Sequence, residues 1–146
     1  MTAPAAKRGS ARTKARKRAL DVLFEADLRQ AEPLTILQAH TDLAEPPVRE
    51  FTTELVEGVV AYQATIDDAI TTGLAAGWTL DRMPRVDRNL ARIAGFEILH
   101  TDIAPNVAVA ECVALAEELS TDESPSFLNG LLRGIVARQA AGPAAG

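Results

Sequence analysis

The chain has 146 residues and a mass of 15.5 kDa, which suits one domain with a hydrophobic core of its own. Apolar residues make up 47% of the sequence and charged residues 24%, a globular balance that excludes wholesale disorder. No apolar run approaches the ~18 residues of a membrane-spanning helix, and no apolar stretch follows the basic N-terminus as in a signal peptide. Because the single cysteine cannot form an internal disulfide, we expect a cytoplasmic protein.

The net charge of −5 hides a strong asymmetry along the chain. Residues 1–18 carry no acid, whereas the other 128 residues carry 8 basic and 20 acidic side chains. A basic arm on an acidic body is typical of a contact with nucleic acid or an anionic surface, although charge alone is equally compatible with a solvated tail. The basic residues of the arm are Lys7, Arg8, Arg12, Lys14, Arg16, Lys17 and Arg18.

Apolar residues at steps of three and four predict seven helices, and no alternating run predicts a strand. We expect the first helix from about Ser10 to Gln30, because Glu32-Pro33 cannot continue it. The other helices are predicted at 34–43, 48–62, 65–77, 83–100, 106–119 and from 124 to about 139. The predicted organisation is a flexible basic arm (1–10), one all-α domain (11–139) and a disordered tail (140–146).

Several local signals predict where these helices begin and end. Thr65, Asp81 and Ser124 are expected to be N-caps, since their side chains can accept a hydrogen bond from the first helical turn. Pro84 is expected in the first turn of the fifth helix, where a missing N–H costs nothing. Gly77 is expected to end the fourth helix in a left-handed conformation.

No pattern of residues points to catalysis. His40 and His100 lie far apart without a carboxylate or cysteine at ligand spacing, so we predict no metal site. Cys112 lies among alanine, valine and leucine, which is typical of a small buried thiol. No glycine-rich phosphate loop follows a strand, and we expect no cofactor. The sequence therefore predicts a protein that is not an enzyme.

The charges of the basic arm destabilise the helix that contains them. Arg12 and Arg16, like Lys14 and Arg18, are like-charge pairs four residues apart, and each pair costs a few tenths of a kcal/mol. Stability does not explain these charges, but phosphates of a polyanion would neutralise several of them together. Recognition of a particular RNA sequence further requires exposed bases, on which an aromatic side chain can stack. Phe127 could serve in this way, although its spacing is more typical of the core.

A second charged segment lies around the start of the predicted fifth helix. Spacing favours a network of ion pairs on a solvated face over a face for docking another protein. The segment interleaves the arginines Arg82, Arg85, Arg88 and Arg92 with the acids Asp81, Asp87 and Glu97.

Three segments, in this order and spacing, resemble the NusB family of bacterial transcription antitermination factors. The resemblance covers nearly the whole chain, and its last segment is the most specific. The segments are ARTKARKRAL at 11–20 with Leu23-Phe24, VDRNLARI at 86–93 with FEIL at 96–99, and AEELS at 116–120 followed by Ser124 and FLNGLL at 127–132.

The resemblance implies a seven-helix globule of two packed helical subdomains without catalytic activity. It also implies binding of boxA RNA together with the ribosomal protein NusE, and action with other Nus factors on RNA polymerase to suppress premature termination of ribosomal RNA transcripts. The RNA contacts carried over by the resemblance are Arg12, Arg16, their neighbours Lys14 and Lys17, the acids Asp122 and Glu123, and Phe127. The NusE face would draw on Phe24, Asp81 and Asp87.

Two alternatives stay open at this point. The rival hypothesis is a helical scaffold for protein interactions, whose basic arm is solvated or serves as a targeting extension. A homodimer that buries the first helix and masks the arm is also compatible with the sequence. NusB-like folds also form the N-terminal part of some RNA cytosine methyltransferases; because their catalytic domain needs a few hundred more residues than these 146, we do not expect such an enzyme.

Overall fold

The computed structural model describes residues 3–43 and 46–142, with side chains from residue 11 onward. Within these ranges the chain forms seven α-helices, one short 3-10 helix and no strand, which confirms the all-α prediction. The helices are α1 (Ala3–Arg29), α2 (Pro33–Leu43), α3 (Glu50–Ala61), α4 (Gln63–Gly73), α5 (Arg85–His100), α6 (Pro105–Leu119) and α7 (Ser124–Ala141), and the 3-10 helix spans Leu80–Arg82.

The first helix is longer than its predicted span. It begins at Ala3 instead of near Ser10, and it ends where Gln30 takes a left-handed φ of 54°. The backbone N–H of Ala31 then donates to the carbonyl of Ala26 over 2.9 Å, which satisfies one of the last free carbonyls of the helix. Residues 1–2 of the predicted arm and 143–146 of the predicted tail lie outside the described residues.

The three predicted N-caps were wrong, because each side chain has another position or partner. Thr65 lies inside α4, where its hydroxyl donates to the carbonyl of Tyr62 over 3.0 Å. Asp81 lies in the 3-10 helix, and Pro84 is the N-cap residue of α5 instead of part of its first turn. Ser124 is the first residue of α7. Gly77 has the predicted left-handed conformation, with a φ of 87°, but α4 already ends at Gly73.

Helix α5 is the centre of the molecule. On one side of it, α1, α2 and α3 pack against each other, and α5 contacts α1 and α3. On the other side α5 packs against α4, α6 and α7, which confirms the predicted arrangement of two packed helical subdomains. Along α5 the residues from 87 to 98 are buried except Arg92, so this helix places polar side chains inside the protein.

The most buried polar contact on α5 joins it to α1. Arg16, 2% exposed, donates from Nε and Nη2 to the carboxylate of Glu97, 1% exposed, over 2.9 and 2.6 Å. A third bond runs from Arg16 Nη1 to Glu111 of α6 over 2.9 Å, and Thr13 donates to the same oxygen. Burial alone would lower the pKa of Arg16, but its hydrogen bonds and charge pairing with Glu97 and Glu111 raise it. The buried side chain of Arg16 therefore connects three helices, α1, α5 and α6.

A second buried polar contact connects the other end of α5 to α6 and α7. The carboxylate of Asp87, 3% exposed, accepts hydrogen bonds from Ser120 over 2.5 Å and from Ser124 over 2.8 Å. The resemblance assigns Asp87 to the NusE face, but its carboxylate is buried in the structure. The serine hydroxyls of the turn between α6 and α7 occupy both of its oxygens inside the protein.

A third buried polar contact, between α5 and α1, contradicts the expectation that the arginines of this segment form ion pairs on a solvated face. Arg88 is buried and donates from Nη2 and Nε to Asp27 of α1 over 2.8 and 3.1 Å. Asn89 donates to the same Asp27 oxygen over 2.9 Å. Burial would raise the pKa of Asp27, but these hydrogen bonds lower it below its ordinary value. Arg92 pairs with Asp67 of α4 over 2.9 Å, so the arginines of this segment mostly connect helices.

Replacement of Arg16 by alanine should destabilise the protein strongly. Loss of one partner leaves Glu97 as a buried unpaired charge, which costs ~3–5 kcal/mol of unfolding free energy. The matched control is Arg12→Ala, which removes an exposed arginine one turn earlier and should cost about 1 kcal/mol or less. Urea denaturation followed by circular dichroism measures both, and equal stability of the two variants would contradict the structural role of Arg16.

Candidate nucleic-acid interface

The α1 cations from Arg12 to Arg18, whose side chains the structure describes, point to different sides of the helix and do not form one surface. Successive helical residues are rotated by about 100°, so the inward direction of Arg16 sets the direction of its neighbours. Arg12 lies beside α3, whereas Lys14, Lys17 and Arg18 lie toward the connector between α2 and α3. Of the four α1 cations predicted to bind RNA, the structure brings Lys14 and Lys17 together, buries Arg16 and separates Arg12.

Arg12 is exposed but has acidic surroundings. Its guanidinium lies over the ring of Phe51, 4.4 Å from the centroid. The adjoining cleft is also lined by Glu54, Glu57 and Asp102. A phosphate that approaches Arg12 would therefore meet three carboxylates nearby, which weakens this position as a phosphate contact.

A second groove next to α1 is basic. We call it the α1 groove; it lies between α1 and the connector from α2 to α3 and has a volume of about 240 Å³. Its basic lining consists of Lys14, Lys17, Arg18 and Arg49, and the remaining lining residues are Asp21, Pro46, Pro47 and Thr52. Such a groove is suited to an anion, since several cations converge on a space open to solvent.

Lys17 also contacts the end of α6. Its ammonium group donates to Glu118 over 2.5 Å, and this hydrogen bond raises the pKa of Lys17. Both side chains are exposed, so the pair contributes little to stability. A phosphate can therefore compete with Glu118 for Lys17 at small cost.

The turn between α6 and α7 presents the other predicted RNA contacts. Asp122 and Glu123 are exposed, and Phe127 is 36% exposed at the surface instead of enclosed in the core. Phe127 lines an apolar recess of about 270 Å³ together with Trp78, which is 49% exposed, and Pro84. Trp78 is not predicted from the sequence as a functional residue; its one signal there is a large aromatic side chain directly after a turn glycine.

The predicted partner face is only partly present as a surface. Phe24 is half-buried on α1, Asp81 is exposed on the 3-10 helix, and Asp87 is the buried acceptor described above. Asp81 lines a polar cleft of about 570 Å³ between α1 and α5, together with Arg85 and Asp27. The exposed member of this set is therefore Asp81.

The single thiol and the two histidines have structural contacts. Burial raises the pKa of Cys112, whose thiol donates to the carbonyl of Leu90 over 3.7 Å; this confirms the interpretation as a buried thiol. His40 bonds Arg18 and Glu25, and His100 stacks on Tyr62 with 4.0 Å between ring centroids. The described residues contain no group of three or more histidine, cysteine or acidic side chains placed to hold a metal ion.

No helix in the described part of the chain is both long and apolar enough to cross a membrane.

Comparison with known proteins agrees with this architecture. The model of the NusB family matches residues 13–137. The transcription antitermination protein NusB of Acidothermus cellulolyticus is 57% identical over 131 residues, which cover 89% of this chain and 90% of that protein. The protein of the same name from Kineococcus radiotolerans is 55% identical, over 84% of this chain and 90% of its own length.

Solved structures give the same result. T. maritima NusB superimposes with a TM-score of 0.77 at 29% identity and covers 86% of this chain and 90% of its own. A chain from the crystal structure of antitermination factors NusB and NusE in complex with dsRNA superimposes with a TM-score of 0.77 at 25% identity, and covers 87% of this chain and 96% of its own. With a family match over most of its length and relatives above 50% identity, the chain belongs to the NusB family.

Proposed function

We propose that this protein is an RNA-binding transcription antitermination factor that binds boxA-type single-stranded RNA together with NusE. In this role it acts in the cytoplasm with other Nus factors and RNA polymerase, without catalysis, and supports processive transcription of ribosomal RNA operons. The observation that carries the proposal is the placement of Lys14 and Lys17 in the α1 groove of a NusB-family chain. The superposition on NusB in complex with NusE and dsRNA supports both partners.

The structure changes how the arginine-rich helix would contact RNA. Lys14 and Lys17 are the proposed phosphate contacts, because both line a basic groove open to solvent. Arg12 contributes from the opposite side of α1, weakened by the acids around it. Arg16 supports binding only indirectly, because its guanidinium is held by Glu97 and Glu111. One buried arginine thus orients the helix that carries the exposed cations.

Recognition of bases is assigned to the turn between α6 and α7. The exposed rings of Phe127 and Trp78 can stack an unpaired base, since any base offers a flat face to an aromatic side chain. Asp122 and Glu123 can accept hydrogen bonds from base amino groups or 2′-hydroxyls. The groove then supplies affinity, and the turn supplies discrimination between sequences.

NusE is proposed to bind near Phe24 and Asp81. Phe24 offers a half-buried aromatic anchor, and Asp81 offers an exposed carboxylate that can orient a basic partner. If RNA affinity increases when NusE is bound, RNA must increase the affinity for NusE by the same factor.

Loss of the two groove lysines should weaken RNA binding and its dependence on salt. For the variant Lys14→Ala/Lys17→Ala we expect the slope of log K against log salt to fall by about 0.7 per lost contact with single-stranded RNA. Fluorescence anisotropy with boxA RNA and a scrambled RNA, with and without NusE, measures this. The control is Arg133→Ala, which removes an exposed cation of α7 outside the groove. Weak binding of the wild-type protein to both RNAs, even with NusE, would favour the scaffold hypothesis.

Reversal of the charge at Asp81 should impair NusE binding alone. We expect Asp81→Arg to weaken association with NusE about tenfold, equivalent to ~1.4 kcal/mol, and to leave binding to RNA without NusE unchanged. Asp68→Arg, which reverses an exposed acid on α4, is the matched control. Calorimetric titration with purified NusE measures the affinities, and equal values for the two variants would remove Asp81 from the interface.

A further inference from the structure

We infer that the α1 groove binds a backbone phosphate of the RNA, and that Arg18 and Arg49 are phosphate contacts in addition to the two lysines. The inference rests on the proposed RNA-binding function and extends it to a second element of the chain. Arg49 lies outside the basic arm, directly before α3, where neither charge pattern nor resemblance assigns a function.

The walls of the groove are fixed relative to each other. The buried hydroxyl of Thr52, in the first turn of α3, donates to the carbonyl of Ala15 on α1 over 2.9 Å. Pro46 and Pro47 on the connector have φ angles restricted by their rings. Arg49 follows these prolines in an extended conformation, φ −71° and ψ 149°. A site built in this way loses little backbone freedom when an anion binds, which favours affinity.

Arg18 is already oriented toward this site. Its Nε donates to Nδ1 of His40 over 3.1 Å, and its Nη2 donates to the carbonyl of Pro46 over 3.5 Å. Nε2 of His40 is 3.2 Å from Glu25, so a neutral imidazole protonated at Nε2 satisfies both contacts. These two bonds of Arg18 do not use Nη1. The guanidinium therefore retains N–H donors that can form charge-assisted bonds to a phosphate oxygen.

The charges of the groove favour an anion over a cation or an apolar ligand. Four of the residues that line it are cations and one, Asp21, is an acid. Arginine matches phosphate oxygens with a planar fork of donors, and two arginines from different elements can contact one phosphate from two sides. The positive end of the α3 helix dipole adds to this potential, and Arg49, its N-cap residue, forms no side-chain cap there.

Continuity with the rest of the proposed interface identifies RNA as the source of the phosphate. Lys17 lines the groove and also contacts Glu118 in the last turn of α6. The exposed acids Asp122 and Glu123 lie in the short turn that follows this helix, after Ser120 and Thr121. The groove and the turn between α6 and α7 are thus connected through one cation, which an RNA backbone can follow.

The test compares Arg49→Ala with wild type in the full-length protein. RNA affinity is measured by fluorescence anisotropy over a series of potassium chloride concentrations, with boxA RNA and a scrambled RNA. We expect a severalfold loss of affinity that is equal for both RNAs, because a phosphate contact carries no sequence information, and a salt slope lower by about 0.7. Arg49→Glu should have a larger effect, and Arg133→Ala should have none.

A variant that is expected to increase RNA affinity controls for indirect effects of the substitutions. Asp21→Asn removes the one carboxylate among the lining residues, so it should increase RNA affinity, whereas decreased affinity would contradict the electrostatic argument. Thermal melting of each variant confirms that the fold is kept. Wild-type affinity in Arg49→Ala, together with strong salt-dependent binding by the wild-type protein, would overturn this inference but not the proposed function. Failure of the wild-type protein to bind either RNA would instead overturn the proposed function.

A second experiment distinguishes binding of RNA from binding of a free anion. Inorganic phosphate is added at constant ionic strength, and we expect it to displace RNA no better than chloride does. If inorganic phosphate binds the wild-type protein but not Arg49→Ala, and RNA affinity is the same for both proteins, then the groove is a site for free phosphate. That result would overturn the assignment to RNA.

Discussion

Among the polar contacts of α1, the buried ion pair between Arg16 and Glu97 shows which side of the basic segment faces the protein interior. Burial of two charges costs free energy that only good geometry recovers, and this pair has two short bonds plus a third from Arg16 to Glu111. Because the arginine is fixed inward, helix geometry turns Lys14 toward the α1 groove and Arg12 toward α3. The inward direction of Arg16 thus determines which of the other α1 cations are exposed and available for the proposed contacts with RNA.

The segment of α5 that carries the family resemblance has a structural function in this chain. Asp87 accepts from Ser120 at the end of α6 and from Ser124 at the start of α7, Arg88 and Asn89 bind Asp27, and Glu97 binds Arg16. These polar contacts connect α5 to both subdomains, while the candidate RNA and NusE contacts lie on α1, directly before α3, on the 3-10 helix and after α6. The residues that resemble the family in this segment therefore stabilise the fold, and the proposed RNA and NusE contacts lie elsewhere.

The period of the apolar residues was sufficient to predict seven helices, since burial of one face determines that pattern. It could not show which polar residues would be buried with that face. The resemblance implies partner contacts for Arg16 and Asp87. Charged residues are seldom buried unless they are paired, and the partners that bury these two are distant in sequence, so the pattern could not reveal their burial. Arg49 and Trp78 became candidates only when folding placed them beside Lys14 and Phe127.

Nuclear magnetic resonance of the arginine side chains, during titration with boxA RNA, tests the central claim most directly. The Nε–H signals of Arg18 and Arg49 should shift as RNA binds, because both guanidinium groups gain a phosphate. The Nε–H signal of Arg16 should stay in place and exchange slowly with solvent, because Glu97 holds it inside the protein. A large RNA-induced shift of the Arg16 signal, with Arg18 and Arg49 unchanged, would contradict a binding surface set by the buried pair.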